Sequence, residues 1–147
     1  MILNLENTRT KKQKARMEEA KREDICPFCP VGLKKIHKLP IEFEYGGFFA
    51  TKNAFAYDGT DFHYLIIPRR HINDITELND NDWISVGRIL KEVLTNQNSS
   101  SGGFFLRFGD MTKTGSSIEH LHFQVLSGTK SETDEDRKSL KVKLGYF

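Results

Sequence analysis

The sequence predicts an α+β domain in which short strands form an antiparallel sheet beside one long helix. Three observations carry that prediction. Strand-like runs recur at 41–45, 48–57, 62–68, 104–110 and 119–126, each bounded by turn-forming residues. One segment, 79–95, repeats apolar residues at helical spacing. Gly46-Gly47 separates two strand-like runs and has hairpin chemistry, which makes that pair antiparallel.

Taken in order, residues 9–24 (RTKKQKARMEEAKRED) contain good helix formers but no apolar stripe, so a solvated helix or frayed arm is expected. Residues 1–24 are therefore set apart as a basic polar arm, and 25–147 are assigned to the folded domain. The arm is read mainly as a solubilising segment, with a contact to a phosphate-rich partner as the alternative. CPFCPVG, with two prolines and a glycine around two thiols, implies turns across 25–36. IEFEY (41–45) alternates apolar and charged residues as a half-buried strand does. FFATKNAFAY (48–57) reads as one or two more strands, and FHYLIIP (62–68) as the most buried one, stopped by Pro68.

Asn79 is placed to cap the helix, whose apolar face is Trp83, Val86, Ile89, Leu90, Val93 and Leu94. NQNSSSGG ends it as a loop. FFLRFGD (104–110) and EHLHFQVL (119–126) are strands around the loop MTKTGSS, and LKVKLGYF reads as a last edge strand.

The 147 residues suit one domain. Twenty-two Lys and Arg against 20 Asp and Glu leave a net +2, too little for a wholesale nucleic-acid binder. Hydrophobic residues make up 37%, with 11 Phe, enough to exclude disorder. No apolar run approaches a membrane span, and the first residues lack the apolar core of a secretory signal. A soluble cytoplasmic protein without a membrane partner is expected, its two cysteines kept reduced for chemistry or metal.

The residues with chemistry cluster. In HLHFQV, strand alternation puts His120, His122 and Gln124 on one side and Leu121, Phe123 and Val125 on the other. Such a polar row is either a solvated strand face or a site. The upstream Thr114-Gly115-Ser116-Ser117, with hydroxyls and unhindered N–H groups of the kind that cradle phosphate, favours the site. Cys26-x-x-Cys29 has zinc-knuckle spacing but supplies only two ligands, so the others must come from His37, His63, His71, His120 or His122. A dithiol oxidoreductase carries a similar motif. Pro30, directly after the second cysteine where that fold runs a helix, turns the reading toward metal. His63-Tyr-Leu-Ile-Ile-Pro-Arg-Arg-His71 closes an apolar strand with cationic groups. His63 and His37 alone read as an ordinary strand histidine and a surface histidine.

Together CPFC, NAFAYDGTDFHYLIIPRRH and TGSSIEHLHFQVL resemble the histidine triad (HIT) superfamily of nucleotide hydrolases and transferases, over Cys26 to Leu126. The resemblance implies a HIT-like α+β domain, a homodimer and a nucleotide substrate. It also implies His122 as a nucleophile forming a covalent nucleotidyl-histidine. Gln124 stands beside it in the catalytic row, Gly115, Ser116 and Ser117 meet phosphate oxygens, and Asn53, Phe55 and Asp58 line the nucleoside pocket. In zinc-containing members the equivalents of Cys26, Cys29, His71 and His120 hold a structural zinc, here a closed set of four.

The triad ends in Gln124 instead of histidine. This HxHxQ form is similar to the galactose-1-phosphate uridylyltransferase and dinucleoside polyphosphate phosphorylase branch. Gly109-Asp110 also stands where many members have asparagine. The expected activity is hydrolysis or phosphorylase-like nucleotidyl transfer on dinucleoside polyphosphates or related nucleotides. The alternative is a non-enzymatic nucleotide or nucleic-acid binding module, with nucleic acid not favoured.

Overall fold

The computed structural model describes residues 2–133 and 135–146. Its centre is an antiparallel sheet of five strands in the order β1-β2-β3-β5-β4: β1 Ile41–Tyr45, β2 Phe48–Lys52, β3 Thr60–Pro68, β4 Gly103–Leu106 and β5 Phe123–Gly128. Gly46 and Gly47 join β1 to β2 with φ of +59° and +81°, the doubly left-handed turn whose twist matches paired strands. A longer side chain at either position would be strained.

Central β3 is buried on both faces, which explains why it reads as a continuous apolar run and not an alternating one. Its Phe62, Tyr64 and Ile66 join Phe48, Ala50, Phe123 and Val125 against Val86, Ile89 and Val93 of α3 (Asp80–Asn96). The alternate residues Leu65 and Ile67, with Phe49, face a second core containing Phe28, Ile36 and Ile118. Period-two alternation thus divides the sheet into a helix-covered face and a face where polar side chains gather.

Helix α3 forms as expected. The Asn79 side chain accepts from the Asp82 N–H, and the Asp82 carboxylate accepts from the Asn79 N–H. This reciprocal box satisfies two otherwise orphan donors. Arg69 pairs with Glu44 and Arg70 with Asp82, so these two cations brace the fold. Trp83, assigned to the buried face, is 44% exposed and meets Phe123 edge-on at 5.7 Å.

Several expectations need correction. The arm forms helix α1 (Lys11–Arg22), and Met17 and Ala20 are buried in the second core. With Gln13 they make a stripe one residue wide, too narrow and too polar to register as an apolar face. The chain ahead of it also docks: Leu3 bridges Ile118, and the Asn4 N–H donates to the Ser117 carbonyl. The CPFC segment continues into a short α2 (Pro30–Gly32) and a wide helical turn, Leu33–His37. Pro30 is harmless there because the first helical position needs no N–H.

Strand β1 is mostly exposed, including Ile41 and Tyr45, because it lies at the sheet edge and only Phe43 reaches the helix-side core. The run 48–57 yields one strand, which ends where Asn53 Oδ1 accepts from the Phe55 N–H. The run 104–110 shortens to β4, and of 119–126 only the part from Phe123 joins β5, so His120, at a bend, and His122 lie just ahead of the ladder. The last segment pairs with no strand among the described residues, and Phe147 lies outside them. His37 is buried, with its Nε2 2.8 Å from Thr51 Oγ1.

Candidate active site and metal centre

The polar face of the sheet opens into a cavity of about 260 Å³. His122, Gln124, Gly115, Ser116, Ser117, Asn53 and Phe55 all line it. Asp58 is exposed and is not among the lining residues.

His122 is buried in the cavity wall, with Nδ1 2.8 Å from the His120 carbonyl. A carbonyl only accepts, so Nδ1 carries the proton and donates, and Nε2 keeps its lone pair. Burial pushes the imidazole down to about 4, and nearby Arg107 opposes protonation further. The ring is therefore neutral near pH 7, with a fixed tautomer.

Gln124 is also buried, and its orientation follows from His63. His63 Nδ1 accepts from the Tyr57 N–H at 3.2 Å, so in the neutral ring Nε2 is the donor. It donates to Gln124 Oε1 at 2.5 Å. Asn53 Nδ2 lies 3.2 Å from the same nitrogen, a meeting of two donors and hence a contact, not a hydrogen bond. With Oε1 engaged, Gln124 has its NH₂ group to offer a ligand oxygen.

The Gly-Ser-Ser loop follows α4 (Met111–Thr114), which Asp110 caps through the Thr112 N–H. Gly115 ends that helix at φ +75°, a conformation suited to glycine. The Ser116 hydroxyl is committed to the Ile118 carbonyl at 2.8 Å. Ser117 is only partly buried, and its hydroxyl lies 3.4 Å from Gln13 Nε2.

Other cavity residues carried no motif. Arg107 is buried beside Tyr57, donating to its hydroxyl at 3.1 Å and to the Lys143 carbonyl. An arginine inside the apolar run FFLRFG was the available signal, since buried cations need a reason. Arg9 and Arg16 reach the cavity from the arm, which sequence spacing alone could not place.

Beside the cavity, Cys26, Cys29, His71 and His120 bring their ligand atoms within 4.8 Å of one another. Cys26 Sγ and Cys29 Sγ lie 3.5 and 3.7 Å from His120 Nδ1, and Cys29 Sγ lies 3.4 Å from His71 Nδ1. Tetrahedral zinc with ordinary Zn–S and Zn–N bonds has S···N edges of about 3.5 Å. The outer partners fit too. His120 Nε2 donates to the Pro68 carbonyl at 2.8 Å, and His71 Nε2 faces Glu119 at 3.8 Å. Such contacts leave Nδ1 of each ring for a metal. The donor set is compatible with zinc.

Two buried histidines besides His120 and His122 predict a pH response. Burial pushes His37 and His63 down to about 4, from an ordinary value of 6.5. Arg16 near His37, and Arg9 and Arg107 near His63, act in the same direction, while the Gln124 bond opposes it. Between those values the unfolded chain binds protons that the folded protein does not. Their contribution is thus fully present above about pH 6.5 and lost as pH falls toward 4. The melting midpoint should drop over that window, with a shallower slope in His63→Gln. An unchanged slope in that variant would contradict a buried neutral His63.

Residues 26–139 match the family described as "Scavenger mRNA decapping enzyme C-term binding". Among solved structures, the chain is similar to a HIT family hydrolase from Clostridium thermocellum at 24% identity, covering 74% of this chain and 95% of that one with a TM-score of 0.57. A HIT family hydrolase from Legionella pneumophila gives 23% identity, 71% and 94% coverage and a TM-score of 0.54. A zinc-bound histidine triad family protein from Mycobacterium smegmatis gives 15%, 79%, 84% and 0.53. These likenesses establish the sheet and helix as the fold those proteins share. With the family match spanning most of the chain, this protein belongs to the histidine triad superfamily, within the scavenger mRNA decapping enzyme C-terminal family.

Proposed function

We propose that the protein is a nucleotidyl-transferring enzyme that cleaves dinucleoside polyphosphates or related nucleotides through a covalent nucleotidyl-histidine on His122. The observation that carries this reading is the His122 ring itself: buried, neutral, Nδ1–H held by a carbonyl, and Nε2 left as a lone pair on the cavity side of the fold. Nucleophilic imidazole needs that arrangement.

His122 Nε2 attacks the α-phosphorus. An N–P bond forms and the P–O bond to the remaining phosphate chain breaks, with its electron pair leaving on oxygen. The ring keeps its Nδ1 proton, so it carries positive charge until an acceptor oxygen attacks phosphorus and returns it to neutral. An acceptor phosphate brings its own anionic oxygen, whereas water must lose a proton to solvent.

Gln124 donates neutral hydrogen bonds to phosphate oxygens and supplies no proton to the leaving group. That suits leaving groups that are already stable anions, and supports phosphate acceptors alongside water. Ser117 and the backbone around Gly115 supply phosphate contacts, and Asn53 and Phe55 line the nucleoside side. Asp58, exposed and outside the lining, is left out of that set.

Zinc held by Cys26, Cys29, His71 and His120 would fix the chain two residues before the nucleophile, a structural role. The family match names an mRNA decapping enzyme, so a cap dinucleotide belongs among the substrates to assay. A homodimer is the reading for the assembly. Edge strand β4 and α3 present Phe104 and Trp83, each 44% exposed on either side of Phe123. The arm and domain together form the working unit.

Intact mass after brief mixing with diadenosine tetraphosphate and a neutral quench tests the chemistry. A nucleotidyl adduct cleared faster by inorganic phosphate supports a phosphorylase, and one cleared equally by water a hydrolase. Absence of adduct and product with any nucleotide would overturn the reading in favour of a binding module.

A further inference from the structure

The arm was expected to be solvated, yet four of its polar side chains, Asn7, Arg9, Gln13 and Arg16, line the cavity. Arg9 places its guanidinium 4.1 Å over the Tyr57 ring and donates to the Phe55 carbonyl. Arg16, one helical face along α1, lies 5.0 Å from the centre of the Phe55 ring. Gln13 stands between them. Its Oε1 accepts from the Arg9 N–H at 2.8 Å, and its amide reaches the Ser117 hydroxyl. The arm is anchored for this purpose by Asn7, buried and donating to the Met111 and Ser116 carbonyls at 2.9 and 2.7 Å. The same side chain accepts from the Tyr146 hydroxyl at 2.6 Å. The phosphate loop and the arm are therefore one hydrogen-bonded unit.

The charge in this cavity is one-sided. Arg9, Arg16, Arg107, Lys141 and Lys143 line it, and no carboxylate does among the described residues. None of the three arginines has an acidic ion-pair partner among those residues, unlike Arg69 and Arg70 elsewhere. Asp58 acts on Arg9 from outside the lining without forming an ion pair, so the gathered guanidinium groups are matched by an anion from outside, and their planar fork suits phosphate oxygens. One reacting phosphate, already served by His122, Gln124 and Ser117, does not account for cations contributed by a separate segment.

We propose that the N-terminal arm is a specificity element of the site, with Arg9 and Arg16 binding the phosphates beyond the one attacked. The aromatic faces of Tyr57 and Phe55 hold the two guanidinium planes in place, so little side-chain freedom is lost when the ligand arrives. The preferred ligand on this assignment is a nucleotide with a chain of several phosphates, and a nucleoside monophosphate uses the site without the arm. The assignment rests on the nucleotide reading above.

Binding measured by calorimetry on the metal-loaded His122→Asn protein, which cannot turn the ligand over, tests the assignment. The ligands are diadenosine tetraphosphate and AMP, and the variants Arg9→Gln, Arg16→Gln and Lys14→Gln are each added to that background. Lys14 is an exposed cation of the same helix and does not line the cavity, so it reports the effect of net charge alone.

Each arginine variant should weaken the tetraphosphate about tenfold, the order expected for one lost charge-assisted bond. AMP binding should change less than about threefold, and Lys14→Gln should leave both affinities in place. Equal weakening of both ligands, or no weakening, overturns the role of the arm while leaving the nucleotide reading intact. Binding of neither ligand by the parent protein overturns both.

Discussion

Replacing His122 with asparagine is expected to lower turnover by at least about a thousandfold and to eliminate the mass adduct. Loss of a nucleophile in other enzymes costs as much or more, because the remaining groups bind and orient but cannot form the covalent bond. The amide of asparagine still donates to the His120 carbonyl, so the chain path through 120–124 should survive. The substitution leaves Cys26, Cys29, His71 and His120 untouched. Metal content and melting midpoint should therefore stay near wild type. Full activity in that variant would end the covalent proposal, and activity lost together with metal would shift the blame to folding.

Removing the metal is expected to have the second large effect. Cys26 and His120 are buried beside Phe28 and Ile36 in the core beneath β3, so the knuckle is part of the hydrophobic structure and not an appendage. Binding energy at such a centre is folding energy. Chelation, or Cys29→Ser, should lower the melting midpoint by on the order of 10 °C, the size that a loss of several kcal/mol produces in a domain of this length. Activity should fall as well, since His120 is two residues from His122 and its carbonyl holds the His122 Nδ1. Elemental analysis should give one zinc per chain. Metal-free protein with an unchanged midpoint would refute a structural metal.

Reading the two effects together separates them. His122→Asn acts on chemistry and spares stability, whereas metal loss acts on both. A variant with normal melting but no adduct belongs to the first class, and one that melts early belongs to the second.

Much of the sheet was legible because its residues report their surroundings locally. FHYLIIP is apolar on both faces since β3 is covered on both, and Gly46-Gly47 can form a turn that most pairs cannot. The capping residue Asn79 and the apolar repeat after it define α3 without reference to anything distant. The row His120, His122, Gln124 was visible for a similar reason, as polar side chains at period two beside an apolar set. The row was expected to face water or ligand, with His120 turned to the cysteines, and the structure puts His120 in the Cys/His cluster and His122 and Gln124 at the cavity.

The misread elements share one property: their partners are far away in sequence. Met17 and Ala20 look like stray apolar residues in a charged helix until Phe49 and Ile36 are packed beside them. His37 looks like a surface residue until Thr51 is placed against its ring. The last segment alternates like a strand, but Arg107 captures the Lys143 carbonyl and Tyr146 bonds Asn7, so it crosses the site instead of joining the sheet.

By itself, then, the sequence determined the α+β class, the long capped helix and the tight hairpin, and it singled out the candidate site residues. Those follow from side-chain periodicity and from backbone conformations that few residue types adopt. The meeting of Cys26 and Cys29 with His71 and His120 was implied by the family resemblance, whereas the tertiary structure alone decided that His63 turns the amide of Gln124 and that Arg9 and Arg16 come to rest on Tyr57 and Phe55. These are contacts between segments tens of residues apart, and no local pattern encodes them. They form because burying both faces of β3 brings the arm, the cysteine knuckle and the triad strand onto the same side of one sheet.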